Sequence, residues 1–240
     1  MARDRELSRF YAFLAKPLFF RSRFLLALLV VPLLLALTQP LWRIEMYAPQ
    51  YPEGLRLDIY AHTIEGGHEG RDIKEINILN HYIGMRSIER HDLADLDWIP
   101  FALGLVAILT LRCAAVGDVR SLIDVVVLTL YLGAFGMMRF VLKLRAYGHD
   151  LNPDAPVKVP PFTPPLLGQN QLANFETWAG PQAGTYLVAV FALGSIGILL
   201  AHLVMGRRRA LGEAPAAVPA PAAEAEEPRP APDAAKDEET

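Results

Sequence analysis

Side chains with ligand chemistry concentrate in one hydrophilic stretch of this 240-residue chain. Asn80-His81-Tyr82-Ile83-Gly84-Met85 places an imidazole and a thioether four residues apart, and Met46 opens the same stretch. Thioethers favour Cu(I) and imidazole suits copper in either oxidation state, so His81, Met85 and Met46 form a candidate copper site. On a helix, His81 and Met85 share a face, and a turn at Gly84 is a second way to bring them together. The plainer reading of the same residues is structural, with Met85 and Ile83 packing a small core and His81 capping a turn. His62, His68, Glu65 and Glu69 occupy a glycine-rich turn. Nitrogen and oxygen ligands of this kind hold Zn or Cu(II), whereas a solvated hairpin tip needs no metal. His91 beside Asp92 reads as a surface pair. Asp150-Leu151-Asn152-Pro153-Asp154 opens like a calcium loop, but Ala155 and Pro161 stand where Gly and Glu are required. An Asx-Pro turn is expected there instead.

Other chemistries are excluded more simply. The single cysteine, Cys113, rules out an internal disulfide framework, a CxxC redox pair, a cysteine zinc site and a CxxCH haem site. The lone His202 cannot supply both axial ligands of a membrane haem. There is no Walker A loop, no GxGxxG and no readable pairing of nucleophile with base, so an enzyme is not expected. Hydrophobic residues make up 52% of the chain and mean hydropathy is +0.24. They lie in blocks, which excludes a soluble enzyme, a nucleic-acid-binding protein and a disordered chain.

The blocks are the elements that must position any site. Four apolar stretches, 24–42, 98–116, 121–142 and 184–205, are each near the ~20 residues that cross a hydrocarbon core of ~30 Å. The first has a long basic front and no A-x-A site, so it reads as an uncleaved anchor. Lys16 and ten arginines (Arg3, Arg5, Arg9, Arg21, Arg23, Arg112, Arg120 and Arg207 to Arg209 among them) fall at one membrane face with four spans. The positive-inside rule then puts both termini in the cytoplasm, although Lys143 and Arg145 oppose it locally. Residues 1–23 form a basic cytoplasmic N-terminus, 43–97 a small extracytoplasmic domain, and 143–183 a second outer loop. Residues 206–240 form a cytoplasmic tail. Its last thirty residues hold ten Ala, six Pro, eight acids and two bases, a composition that cannot bury a core.

In the small domain, Leu55, Leu57 and Ile59 alternate with polar neighbours as in a half-buried strand, and Ile76 and Ile78 flank Asn77 likewise. The glycine-rich segment 62–72 between them reads as a hairpin turn. Ser87 to Asp97 is expected to form a short helix. The second loop begins with a proline-rich, extended run, and Gln169 to Trp178 is expected to be one interfacial helix. The fold class is therefore an all-α integral membrane protein: four transmembrane helices plus a small extracytoplasmic domain containing a β-hairpin. Within the spans, Asp124 and Arg139 lie near helix ends, where they reach water. Met137-Met138 is either a methionine relay or ordinary packing. Gly194, Gly197 and Ala201 form a small-residue stripe suited to helix packing, within the chain or between chains.

Several segments recur together in a known order: Pro49-Gln50-Tyr51-Pro52-Glu53-Gly54-Leu55, then Leu79 to Met85, then Asp150 to Ala155, Val159-Pro160, Pro164 to Gly168 and Asn174-Phe175. Over about residues 24–205 the chain resembles a family of small bacterial four-helix membrane proteins, often encoded beside nitrous-oxide reductase and its copper-maturation accessory proteins. That resemblance implies extracytoplasmic copper handling in the bacterial inner membrane, or maturation of a copper enzyme such as nitrous-oxide reductase, with copper as cofactor at His81 and Met85. A periplasmic copper enzyme or copper chaperone is the implied partner, beside the lipid bilayer. The family pattern often carries methionine after the Val-Pro of the second loop, where this chain has Pro161-Phe162. The competing expectation is a structural anchor or assembly subunit that holds no metal.

Overall fold

The computed structural model of the chain describes residues 17–89, 97–172 and 175–212. Helix α1 (Phe20–Leu35) continues through a 3-10 turn, Ala36–Thr38, into strands β1 (Trp42–Ala48), β2 (Tyr51–Ile59) and β3 (Ile64–Gly66). Helix α2 (Arg71–Ile83) follows, then the long helices α3 (Trp98–Val116) and α4 (Val119–His149). Strands β4 (Gly168–Leu172) and β5 (Phe175–Pro181) lead into α5 (Ala183–Gly212). Among the described residues, α1 with its 3-10 turn, α3, α4 and α5 through Met205 are long and apolar enough to cross a membrane.

These four helices pack around Leu26, Leu33, Leu122 and Phe191, which are almost wholly buried. Outward they present Phe20, Phe101 and Leu193, with relative exposures of 82%, 80% and 69%. Such a girdle is costly in water and neutral against lipid tails. At the end remote from the sheet, side chains satisfy backbone groups that the helix ends leave open. The Arg23 guanidinium donates to the carbonyls of Ala114 (2.7 Å) and Ala115 (2.5 Å), the open C-terminal carbonyls of α3. His202, 5% exposed, accepts the Phe19 N–H at Nε2 (3.2 Å) and lies 2.9 Å from the Ile198 carbonyl through Nδ1. That pattern fits the neutral imidazole protonated on Nδ1.

The strands form one antiparallel sheet in the order β3-β2-β1-β5-β4. Strand β1 lies at its centre, with Trp42 opposite Ile59 on one side and opposite Pro181 on the other. The two loops of the sequence are thus a single layer. One face, carrying Ile44, Met46, Leu55 and Leu57, packs on Ile73, Ile76 and Leu79 of α2. The opposite face carries Arg43, Glu45, Tyr47, Arg56 and Asp58, as the period-2 pleat requires.

Several expectations are corrected. The chain is not all-α, because the domain beside the helices is a five-stranded sheet and not a lone hairpin. Ile76, Asn77 and Ile78 lie in α2, where Ile73, Ile76 and Leu79 share the buried face and Ile78 is 50% exposed. The helical period outweighs a three-residue alternation. The β2–β3 hairpin turns earlier, at Tyr60 to Thr63, where the Tyr60 N–H donates to the Thr63 carbonyl (2.8 Å). Residues 169–172 and 175–178 lie in β4 and β5 instead of a helix, because the free edge of β1 takes β5 as partner and β5 takes β4. The first helix begins at Phe20 and does not reach Trp42, where the sheet has begun. Helix α4 runs seven residues past Leu142, to His149. Ser87 to Glu89 are not helical, and residues 90–96, with His91 and Asp92, lie outside the described part. Residues 1–16 and 213–240, including most of the expected tail, also lie outside it.

The two outer loops also meet at Gly84. Helix α2 ends there in a Schellman cap: the Met85 N–H donates to the Asn80 carbonyl (2.8 Å) and the Gly84 N–H to the His81 carbonyl (3.2 Å). Gly84 holds φ +77°, and a Cβ there would stand 2.8 Å from the Asn152 carbonyl oxygen and 2.9 Å from the Ala155 Cβ. The Asn152 N–H donates to the Gly84 carbonyl (2.8 Å), and Arg86 pairs with Asp150. The Asn152 side chain accepts the Asp154 N–H (3.0 Å), forming the expected Asx turn. Gly70 also has positive φ (+85°) but has open space where its Cβ would be. Gly70→Ala should therefore cost about 1 kcal/mol, for backbone strain alone. Gly84→Ala should cost roughly 2–4 kcal/mol, because overpacking against the second loop is added. Thermal unfolding of both variants checks this, and equal costs would mean the loops do not meet at Gly84.

Candidate functional site

The sheet does not sit flush on the helices. Between its apolar face and the near ends of α3, α4 and α5 lies a cavity of about 380 Å3. Ile44, Met46, Leu57 and Ile59 form its sheet wall and Ile76, Leu79 and Ile83 the α2 wall. Trp98, Leu103, Leu132 and Phe140 form the membrane-helix wall, and Phe162 with Pro164 and Pro165 closes it from the second loop. Its size is that of a ligand pocket.

The depth of the cavity follows from helix geometry. Helix α4 has 31 residues, about 46 Å at ~1.5 Å per residue, against a core of ~30 Å. Counted from Val119, the roughly 20 residues that suffice to cross such a core end near Arg139. Trp98, at the start of α3, packs edge-on to Phe135 (centroids 5.3 Å apart), marking the same level. The cavity therefore lies at the base of the sheet domain, level with the point where a membrane-length stretch of α4 ends.

The polar lining is sparse. Arg139 and Lys143, one turn apart on α4, bring two cations, and Asn80, Thr129 and Tyr147 also border the space. The Asn80 amide donates to the Arg86 carbonyl (3.4 Å) and the Thr129 hydroxyl to the Val125 carbonyl (2.7 Å). Trp42 is 6% exposed and stands edge-on to Phe140 at 5.5 Å. Its Nε1–H is buried with no acceptor among the described residues. A buried donor left unpaired costs about 1–3 kcal/mol.

Met46 and Met85, two of the three candidate copper ligands, both line this cavity, and Met137 joins them from α4. Met138 is exposed. His81, on the last turn of α2, is exposed and is not part of the lining. The spacing that promised a shared face is interrupted by the cap at Gly84, which turns Met85 away from the helical path. Among the described residues, no group of three or more His, Cys, Asp or Glu side chains is arranged to hold a metal. His62 is exposed, and His68 Nδ1 lies 2.8 Å from Asp72 Oδ1. Asp72, 2% exposed, also accepts the Arg56 N–H (2.8 Å), so it ties α2 to β2. Asp124 is exposed at the far end of α4. Of the small-residue stripe, Gly194 is occupied within the chain, since a Cβ there would meet Leu29 at 2.8 Å. Gly197 and Ala201 face outward.

The outer face of the sheet is a different surface. Asp58 accepts from Arg43 at 2.6 and 3.2 Å and lies 3.3 Å from Arg56. The hydrogen bond to Asp58 raises the Arg43 pKa. Tyr47 donates to Glu45 (3.0 Å) and Tyr51 to Glu75 (2.5 Å), and those carboxylates push both phenols up from their usual range. Tyr47 and Trp178 remain exposed beside these charges. Sequence reading missed Trp42, Asn80 and Asp72 as buried polar groups, because nothing local marks a Trp or an Asp as enclosed. No family model, curated protein or solved structure matches the chain.

Proposed function

We propose that this chain is a non-enzymatic accessory protein of the bacterial inner membrane that holds a rigid sheet domain against the extracytoplasmic face, for assembly with a larger complex. One observation carries this reading: the sheet is joined to two membrane-length helices without a hinge. Strand β5 ends at Pro181 and α5 begins at Ala183. The Gln182 N–H donates to the Leu41 carbonyl (2.9 Å), Gly184 N–H to the Pro40 carbonyl (2.9 Å), and the Thr185 hydroxyl to the Leu41 carbonyl (2.5 Å). A domain held this way presents its outer face, with Tyr47 and Trp178, at a fixed height and angle. Exposed aromatics beside charges are common at protein interfaces.

The orientation draws on charge. Arg21, Arg23, Arg112 and Arg120 are at the end remote from the sheet, and Arg207 to Arg209 lie in the last turns of α5 on the same side. This supports both termini in the cytoplasm. A cytoplasmic reporter fused after Met205 should be active and a periplasmic one silent; the reverse would overturn the orientation.

A copper reading is favoured by a separate observation, the thioethers of Met46 and Met85 lining one cavity. The resemblance of the segments around Gly84 and Asn152 to proteins encoded beside nitrous-oxide reductase is the support for a copper enzyme as partner. Against it, His81 lies outside that cavity and is exposed. The anchor reading is therefore preferred. In a Cu(I) competition titration, wild type and a Met46→Leu/Met85→Leu variant should compete equally poorly. Tight one-to-one binding that the double variant loses would replace the anchor reading with the copper one.

A further inference from the structure

We propose that the cavity beneath the sheet binds one neutral isoprenoid quinone. Its ring lies beside Trp42 and Phe140, one ring carbonyl accepts the Trp42 N–H, and the tail runs along α4. The proposal rests on reading the four long apolar helices as membrane spans, where such a ligand is dissolved. Shape, wall chemistry and one buried donor converge on this occupant. The α4 residues that line the cavity run from Thr129 to Tyr147, about 27 Å apart along the axis at ~1.5 Å per residue. A volume of about 380 Å3 drawn out over that height is narrow, a slot for one chain. Gly133 and Gly136, three residues apart on one side of α4, line it and leave a shallow track for a tail. Leu103, Val106 and Leu132 line its end within the helices, and hydrocarbon satisfies such walls where water does not.

At the sheet, the lining suits a flat ring. Trp42, Ile44 and Met46 alternate along β1 and so share its cavity side. Trp42 stands edge-on to Phe140 at 5.5 Å, and the thioethers of Met46, Met85 and Met137 border the same space. Ring edges and polarizable sulfur both make favourable contacts with a planar π-system. The Trp42 indole N–H is buried, and it has no acceptor among the described residues. A ring carbonyl supplies a neutral one. Arg139 and Lys143 also line the cavity, but each already has an interaction within the chain. The rest of the described lining is uncharged, so the occupant is neutral. A phospholipid would bring a permanent charge into this space. A plain hydrocarbon would leave the Trp42 donor unpaired, and a small soluble ligand would leave the height of the slot unfilled.

The test uses the full chain in phosphatidylcholine nanodiscs, titrated calorimetrically against empty nanodiscs. The probe is decylubiquinone, and decylbenzene, with the same tail and no carbonyl, is its control. Wild type should take up one decylubiquinone per chain and bind decylbenzene about five-fold more weakly. Trp42→Phe keeps an aromatic ring and removes the donor. It should lower the affinity for decylubiquinone about five-fold and leave decylbenzene unchanged, whereas damage to the fold would weaken both. Gly133 has open space at its Cβ position, so Gly133→Leu should block both ligands. If that variant does not fold, the indole variant decides. No saturable uptake above empty nanodiscs would overturn the proposal, since phosphatidylcholine or nothing then fills the slot. Equal affinity of wild type for the two probes, or a Trp42→Phe variant that still prefers the quinone, would also overturn it. None of these outcomes bears on the hingeless anchoring, so the proposal and the anchor reading fail separately.

Discussion

The pairing of β1 with β5 is the constraint on which the rest of the structure depends. Six residues of β1, Trp42 to Tyr47, stand opposite Glu176 to Pro181 across more than half of the chain. Without that ladder the first loop is a three-stranded sheet on one helix and the second is a proline-rich strap. With it, both are fixed to each other and to the helices that enter and leave them. Loop closure over such a separation costs only slowly more as length grows, about 0.6 kcal/mol per doubling. Each ladder hydrogen bond returns roughly 1 kcal/mol net. A short ladder therefore suffices, provided the helices already hold the ends nearby.

That ladder also creates the space beneath it. β1 must supply one face to α2 and, at its Trp42 end, reach over the helices. The apolar face of the sheet is wider than α2 can cover, so part of it faces α3 and α4 across a gap. The proline-rich strap crosses the gap instead of filling it. Phe162 donates its N–H to the Gly148 carbonyl (3.0 Å) at the end of α4, which pins the strap to the helix top. Gly84 plays the corresponding part on the other side, accepting the turn at Asn152. The pocket is a consequence of two loops being held at fixed height, not of a motif in either.

The four long apolar helices are the most legible part, because a long apolar run has few alternative structures. The span 98–116 was read to the residue, and the errors elsewhere lie at ends where sheet and helix compete. The alternation of Leu55, Leu57 and Ile59 identified a true strand. Ile76 and Ile78 misled because three residues cannot distinguish a period of 2 from one of 3.6. Residues 169–178 carry no strong strand signal, and what makes them strands is the unpaired edge of β1 far away in sequence. At the candidate site, the segment around Gly84 carries a structural role that its side chains do not announce. Its side chains suggest ligands, and the structure adds that Gly84 and Asn80 hold a helix cap against the second loop. Trp42 reads only as the end of the first apolar stretch, and its burial follows from the sheet that no single segment encodes.

The most direct measurement is a disulfide cross-link across the central ladder. Glu45 and Trp178 are register partners on β1 and β5, and Cys113, the one native cysteine, is buried among the helices. In the full chain in membranes, Glu45→Cys with Trp178→Cys should form an intramolecular disulfide under mild oxidation, read as a mobility shift lost on reduction. The offset pair Glu45→Cys with Gln171→Cys, which places the second thiol on the far strand, should not. Efficient bonding of the register pair alone is the result this structure predicts. Failure of that pair, or equal bonding of both, would contradict a sheet shared between the two loops.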